Sequence, residues 1–87
     1  MNITKVNKAI VGKRALIEGK WEFLEFDSVG IVTEIKTIDE LIIIYLDNQS
    51  KFVGEVNKIV FEEKETIDFI KSTPENNEII IFRVKLL

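Results

Sequence analysis

"LIIIYL", Leu41–Leu46, places six apolar residues in a row inside a chain of 87. Six is far short of the roughly 20 residues a membrane-spanning helix needs, and more than a strand with one wet face normally carries. As a strand, its alternation sends Ile42, Ile44 and Leu46 to one side and Leu41, Ile43 and Tyr45 to the other. Whatever covers the second side decides the fold. "TIDE" before it and "DNQS" after it read as turns, because Asp and Asn bond to nearby backbone and tolerate left-handed dihedrals.

Working outward, strand signals dominate. "AIVGKRALI" is rich in aliphatic and β-branched residues, and "WEFLEF" is aromatic and partly alternating. In "VGIVTEIKTI", alternation groups Ile31, Thr33 and Ile35 against Val32, Glu34 and Lys36. "KFVGEV" and "KIVFEE" follow, with Gly54 suggesting a bulge or sharp bend. Four or five short strands with tight turns predict a mainly β fold, a small barrel of about five strands. "EEKETIDFIKS" fits a helical face through Ile67 and Ile70, with acids leading and Lys71 closing, so a helix is the favoured reading over 62–72, and a poor strand the alternative. "EIIIFRVKLL" is a strand with Ile80, Phe82, Val84 and Leu86 on a buried face. One domain, 1–87, is expected: a barrel over about 10–63 and a C-terminal helix or strand extension over about 64–87. That extension should pack on, or pair beside, Leu41, Ile43 and Tyr45. The competing cover is a second copy or another protein.

Composition narrows the function. Hydrophobic residues make up 46% and charged residues 31%, a globular balance. There is no cysteine and no histidine, which removes disulfides, thiolate metal sites, the commonest general base and the usual pH switch near neutrality. Ser28, Ser50 and Ser72 stand in turn-like contexts, and the acidic groups lack calcium-loop spacing, so no catalytic, cofactor or metal site is expected. The amino terminus shows no apolar signal core and no run is long enough to span a bilayer, predicting a cytoplasmic protein without a membrane partner. The ten lysines, two arginines and fifteen isoleucines suit an A/T-rich genome such as those of low-GC bacteria and their phages. Net charge is −3, divided as +4 over residues 1–20 and −7 over the rest.

"RALIEGKWEFLEFDSVGIVTEI", Arg14 to Ile35, resembles the start of a Src-homology-3-like small barrel of the KOW or Tudor type. Ala15, Ile17, Gly19, Gly30, Ile31, Val32 and Ile35 stand in the places of its apolar strand, glycine, variable loop, second glycine and alternating strand. "LIIIYLDN" looks like the next strand and its acidic turn, and "KFVGEVNKIVFEE" like the closing strands. The resemblance covers roughly 10–63, and the acidic body and C-terminal quarter depart from it. It implies a binding module of the kind that contacts RNA, DNA, polymerase or peptides; fold does not choose among them.

Two interfaces follow. The aromatic segment offers Trp21, Phe23 and Phe26, and Tyr45 adds a fourth anchor, for a protein partner. A small modulator of a larger host machine is then expected, such as an anti-CRISPR inhibitor from a phage. The alternative is a KOW-like nucleic-acid binder in which Lys13, Arg14 and Lys20 grip phosphates beside Trp21. The plainer reading of those cations is pairing with Glu18, Glu22 and Glu25. A homodimer is the further possibility for the uncovered strand face.

Overall fold

A computed structural model describes residues 3–21 and 24–87, and the side chains of 20–25 lie outside that description. The chain opens with a helix, α1 (Ile3–Ile10), and continues in seven strands among the described residues: β1 (Arg14–Trp21), β2 (Leu24–Ile38), β3 (Leu41–Leu46), β4 (Lys51–Glu55), β5 (Lys58–Glu62), β6 (Thr66–Ser72) and β7 (Glu78–Leu86). All pairings are antiparallel, in the order β4-β3-β2-β1-β7-β6-β5. The mainly β expectation holds. Among the described residues the sheet is not closed by hydrogen bonds into the expected barrel, and β4 and β5 are its edges.

The sheet folds over on itself because two segments change layers. The first is β2, whose fifteen residues pair with β1 up to Ile31 and with β3 from Val32 onward. A register shift between Val32 and Glu34 marks the passage, as a bulge bends and twists a strand. It also overturns the simple alternation expected here. Val32 and Ile35 are both buried, while Ile31 and Thr33 are exposed.

The second crossing joins β4 to β5, the two outer strands. The Val56 amide donates to Glu40 O at 2.9 Å, and the next amide, Asn57, donates to Ile70 O at 3.0 Å. Consecutive residues thus belong to opposite layers. The Asn57 side chain fixes the corner by donating to Ser72 O and accepting from the Ser72 amide, each at 2.8 Å. Lys71 adds ion pairs to Glu40 (2.9 Å) and Glu55 (3.4 Å) across the same corner.

Inside lies one apolar cluster. Ile42, Ile44 and Leu46 of β3 share it with Ala15 and Ile17, Phe52, Ile67, Phe69, Phe82 and Val84. The C-terminal segment therefore covers the inner face of "LIIIYL", contrary to the expected cover on Leu41, Ile43 and Tyr45. β3's neighbours are β2 and β4; on its outer face Leu41 is exposed and Ile43 and Tyr45 half-buried. Ile43 stands between Lys36 and Val53 in register, and Lys36 Nζ lies 5.6 Å from the Tyr45 ring centre. Long lysine stems shade apolar neighbours while keeping their charge in water.

Residues 66–72 form β6, not the expected helix. Ile67 and Phe69 face the core as a strand requires. A register shift after Phe69 breaks the alternation and lets Ile70 be buried too, with Ile81 the extra residue of β7. Asp68, on the other face, is buried beside Arg83, its cross-strand partner, through bonds of 2.7 and 3.1 Å.

The strand reading of "AIVGKRALI" also gives way at its start, where α1 ends at Ile10. Val6 and Ile10 are fully buried on α1's inner stripe, with Ile3 and Ala9 packed beside them, the spacing of a helix face. The helix covers the end of the core where β1 begins, tied by Gly12 N to Val32 O at 2.7 Å. No helix among the described residues is long and apolar enough to cross a membrane.

Candidate functional site: a cleft at the open seam

At the far end of β1 from α1, the folded sheet leaves an open cleft of about 680 Å³. Its walls are β4, with all five residues Lys51–Glu55, and the stretch Phe26–Ser28 of β2. Its floor is Phe52 and Phe82, edge to face with centroids 5.9 Å apart, the arrangement the ring quadrupoles favour. Two glycines make the cleft possible. A Cβ on Gly19 would meet the Phe52 ring at 3.1 Å and Phe26 at 3.3 Å, while one on Gly54 would come within 2.5 Å of Ile81 Cγ2 and 3.0 Å of Phe82. Gly54 is thus a point of close approach between layers, rather than the expected bulge or bend.

The hydrogen-bond parity of the two walls shows which backbone groups face the seam. The Leu46 amide donates to Ser50 O and the Val56 amide to Glu40 O, so with the β3–β4 register Phe52 and Gly54 direct their amides and carbonyls to β3. Lys51, Val53 and Glu55 direct theirs away from β3, along the cleft. On β2, the outward groups of Val29 and Ile31 are met by the β3–β4 turn. Asn48 Nδ2 donates to Val29 O at 3.0 Å, Asp47 Oδ1 accepts from Ile31 N at 2.9 Å, and Ile31 O accepts from Asp47 N at 2.9 Å. The turn itself holds through Asn48 Oδ1 accepting the Ser50 amide and Ser28 Oγ donating to Ser50 Oγ. Beyond Ser28 and Ser50, the two strands part and the cleft begins.

Phe26 stands at the mouth, 46% exposed although its strand position points inward, and Val53 is 49% exposed on the opposite lip. Asp27 and Glu55 set carboxylates on the rim, Lys51 and Lys71 ammonium groups. The Lys71 ammonium is held above its ordinary value of 10.5, chiefly by its hydrogen bond to Glu40, with Glu55 contributing and partial burial opposing.

The expected site residues are dispersed. Phe26 lines the cleft; Tyr45 lies half-buried on the outer face of β3. Phe23 and the side chain of Trp21 fall outside the described residues. Lys13 and Arg14 are exposed, and Arg14 and Trp21 occupy opposite ends of β1, about 23 Å apart at strand rise. The Lys20 side chain also lies outside the described residues. Glu18, an expected partner of these cations, lies 2.7 Å from Lys85. Sequence reading missed the residues that build the cleft: Gly19, Phe52, Gly54, Ile81 and Phe82. The signal was two glycines inside strands, Gly19 and Gly54, which mark close backbone approach.

The chain matches no family model, no curated protein and no solved structure.

Proposed function

We propose that the protein is a non-catalytic protein-binding module that takes an apolar segment of its partner into the seam cleft, with Phe26 as the anchor. In this reading it is a small modulator or inhibitor of a larger host machine, of the kind phages direct against bacterial defence. The observation that carries it is the half-exposed Phe26 at the mouth of a cleft floored by Phe52 and Phe82 and rimmed by charges of both signs. An aromatic anchor in an apolar hollow with a polar rim is the usual energetic centre of an interface. The two layer-changing segments, β2 and β4–β5, support reading it as an opened relative of a Src-homology-3-like barrel, in which β7 and β6 stand between β1 and β5.

The test is recovery of partners from the native cell by the tagged full chain, with mass spectrometry of what co-purifies. Wild type and a control, Ile38→Asp, at an exposed site on the opposite end of β2, should recover the same protein. Phe26→Asp should lose it at least tenfold while keeping its thermal midpoint within a few degrees. Equal recovery by all three, or no protein recovered by wild type, would overturn the assignment. Salt-sensitive binding to single-stranded nucleic acid that depends on Lys13 and Arg14 would move the function to the nucleic-acid alternative.

A further inference from the structure

The geometry points to a homodimer in which β4 pairs antiparallel with β4 of a second copy about a twofold axis through Val53. Three independent features of "KFVGE", Lys51–Glu55, converge on it.

The first is backbone parity. Lys51, Val53 and Glu55 aim their amides and carbonyls away from β3. An antiparallel partner must present groups of the same parity. A twofold at Val53 sets Val53 against Val53, and Lys51 against Glu55 in both directions. Each of these three facing pairs has both residues pointing across the new ladder, giving six backbone hydrogen bonds, with Phe52 and Gly54 facing each other as the intervening non-bonded pairs. A twofold at Phe52 or Gly54 keeps the parity but faces only two of the three outward residues of each strand, giving four bonds within β4 and no Lys51–Glu55 match.

Charge is the second feature. Lys51, Val53 and Glu55 are exposed on the same face of β4. In this register each Lys51 ammonium lies opposite a Glu55 carboxylate of the second copy, and the two Val53 side chains meet at the axis. Directly opposed charges of opposite sign stabilise a cross-strand pair and like charges destabilise it. The strand is therefore complementary to its own reverse. Glu55, already 3.4 Å from Lys71, would then lie between two cations.

The third is contrast with the other edge. β5 carries Lys5 Nζ of α1 over the Phe61 ring at 4.4 Å, and its Lys58 is paired with Glu78. Among the described residues β4 has no helix against it, no proline and no inward charge, three of the devices that guard an edge, and its own edge charges, Lys51 and Glu55, are of opposite sign. Isologous pairing of such an edge closes after two copies and consumes it.

Sedimentation of the full chain across a concentration series tests the dimer. Wild type should pass from monomer to dimer. Val53→Pro, which removes an outward amide without touching the β3 ladder, should remain monomeric with its fold intact by circular dichroism. Lys51→Glu and Glu55→Lys should each weaken self-association about tenfold by facing like charges twice. The double variant Lys51→Glu/Glu55→Lys should restore it, and an equimolar mixture of the two single variants should form a mixed dimer. A wild-type chain that stays monomeric to millimolar concentration would overturn the inference, as would a dimer indifferent to Val53→Pro and to the charge exchange. The second copy's β4 would lie along the cleft wall that the partner segment also uses, so the two occupants compete. Because the Phe26 test uses a different variant and readout, either reading can fail alone.

Discussion

Gly54 and Arg83 show how much one side chain decides here. At Gly54 a methyl group would enter the contact surface of Ile81 and Phe82. Gly54→Ala should therefore cost about 1–3 kcal/mol in chemical denaturation, the range for overpacking a filled core. Unchanged stability would mean that the layers are not in contact at that point. Arg83 answers the buried Asp68 carboxylate, itself only 3% exposed, and reaches water with its other side. Removing the two partners is then unequal. Arg83→Ala strands a buried charge and should cost about 2–3 kcal/mol, while Asp68→Leu leaves an arginine free to hydrate and should cost clearly less. Equal losses would contradict the burial of Asp68. Neither residue announces this in the sequence. Asp68 reads as one acid among several in "EEKETIDF", and only the cross-strand register with Arg83 makes it structural.

At the scale of elements, α1 and the corner at Val56–Asn57 hold the layers together. Val6 and Ile10 are fully buried, so Ile10→Ala should lose about 2–5 kcal/mol, measured by urea unfolding; a loss under 1 kcal/mol would detach α1 from the core. Lys71 clamps the corner, and its raised pKa sets the sign of a pH effect. Its charged form is favoured by folding, so the stabilisation is present below its ordinary 10.5 and fades as pH rises through the higher folded value. The stability gap between wild type and Lys71→Met should accordingly be flat from neutral pH to about 9 and shrink only above 10.5; a gap closing near neutrality would point to another group. The alternation that made β3 and the Phe82–Leu86 part of β7 legible came from stretches with no extra residue of their own. At Val32–Glu34 and Phe69–Ile70 the register shifts, and inward positions move by one. That is why "TIDFI" imitated a helix: Ile67 and Ile70 are both buried, three apart, through a bulge. An eight-residue α1 gave too short a period to stand out from the strand-like letters that follow it.

For the whole molecule, the fold follows from two bent segments and one seam. "LIIIYL" is covered on its inner face by strands from both ends of the chain order, which ties residues 66–86 to the same core as residues 14–55. Sequence reading recognised the strands other than β6, the turns and the need for a cover, and missed α1. It placed the cover on the wrong face because pairing order, unlike alternation, leaves no local trace. The cleft was illegible for the same reason: Gly19, Phe52, Gly54 and Phe82 come from three strands and meet only after the sheet has folded over. A chain ending at Glu63 would lose β6 and β7, and with them Phe69, Phe82 and Val84, so it should not unfold cooperatively.

The seam itself is most directly read by amide hydrogen exchange along β4, residue by residue, at concentrations low enough to keep the chain monomeric. Slow exchange at Phe52 and Gly54 alternating with fast exchange at Lys51, Val53 and Glu55 is the predicted result. Uniform protection of all five amides would show a ladder closing the sheet there, and would remove both the cleft and the free edge.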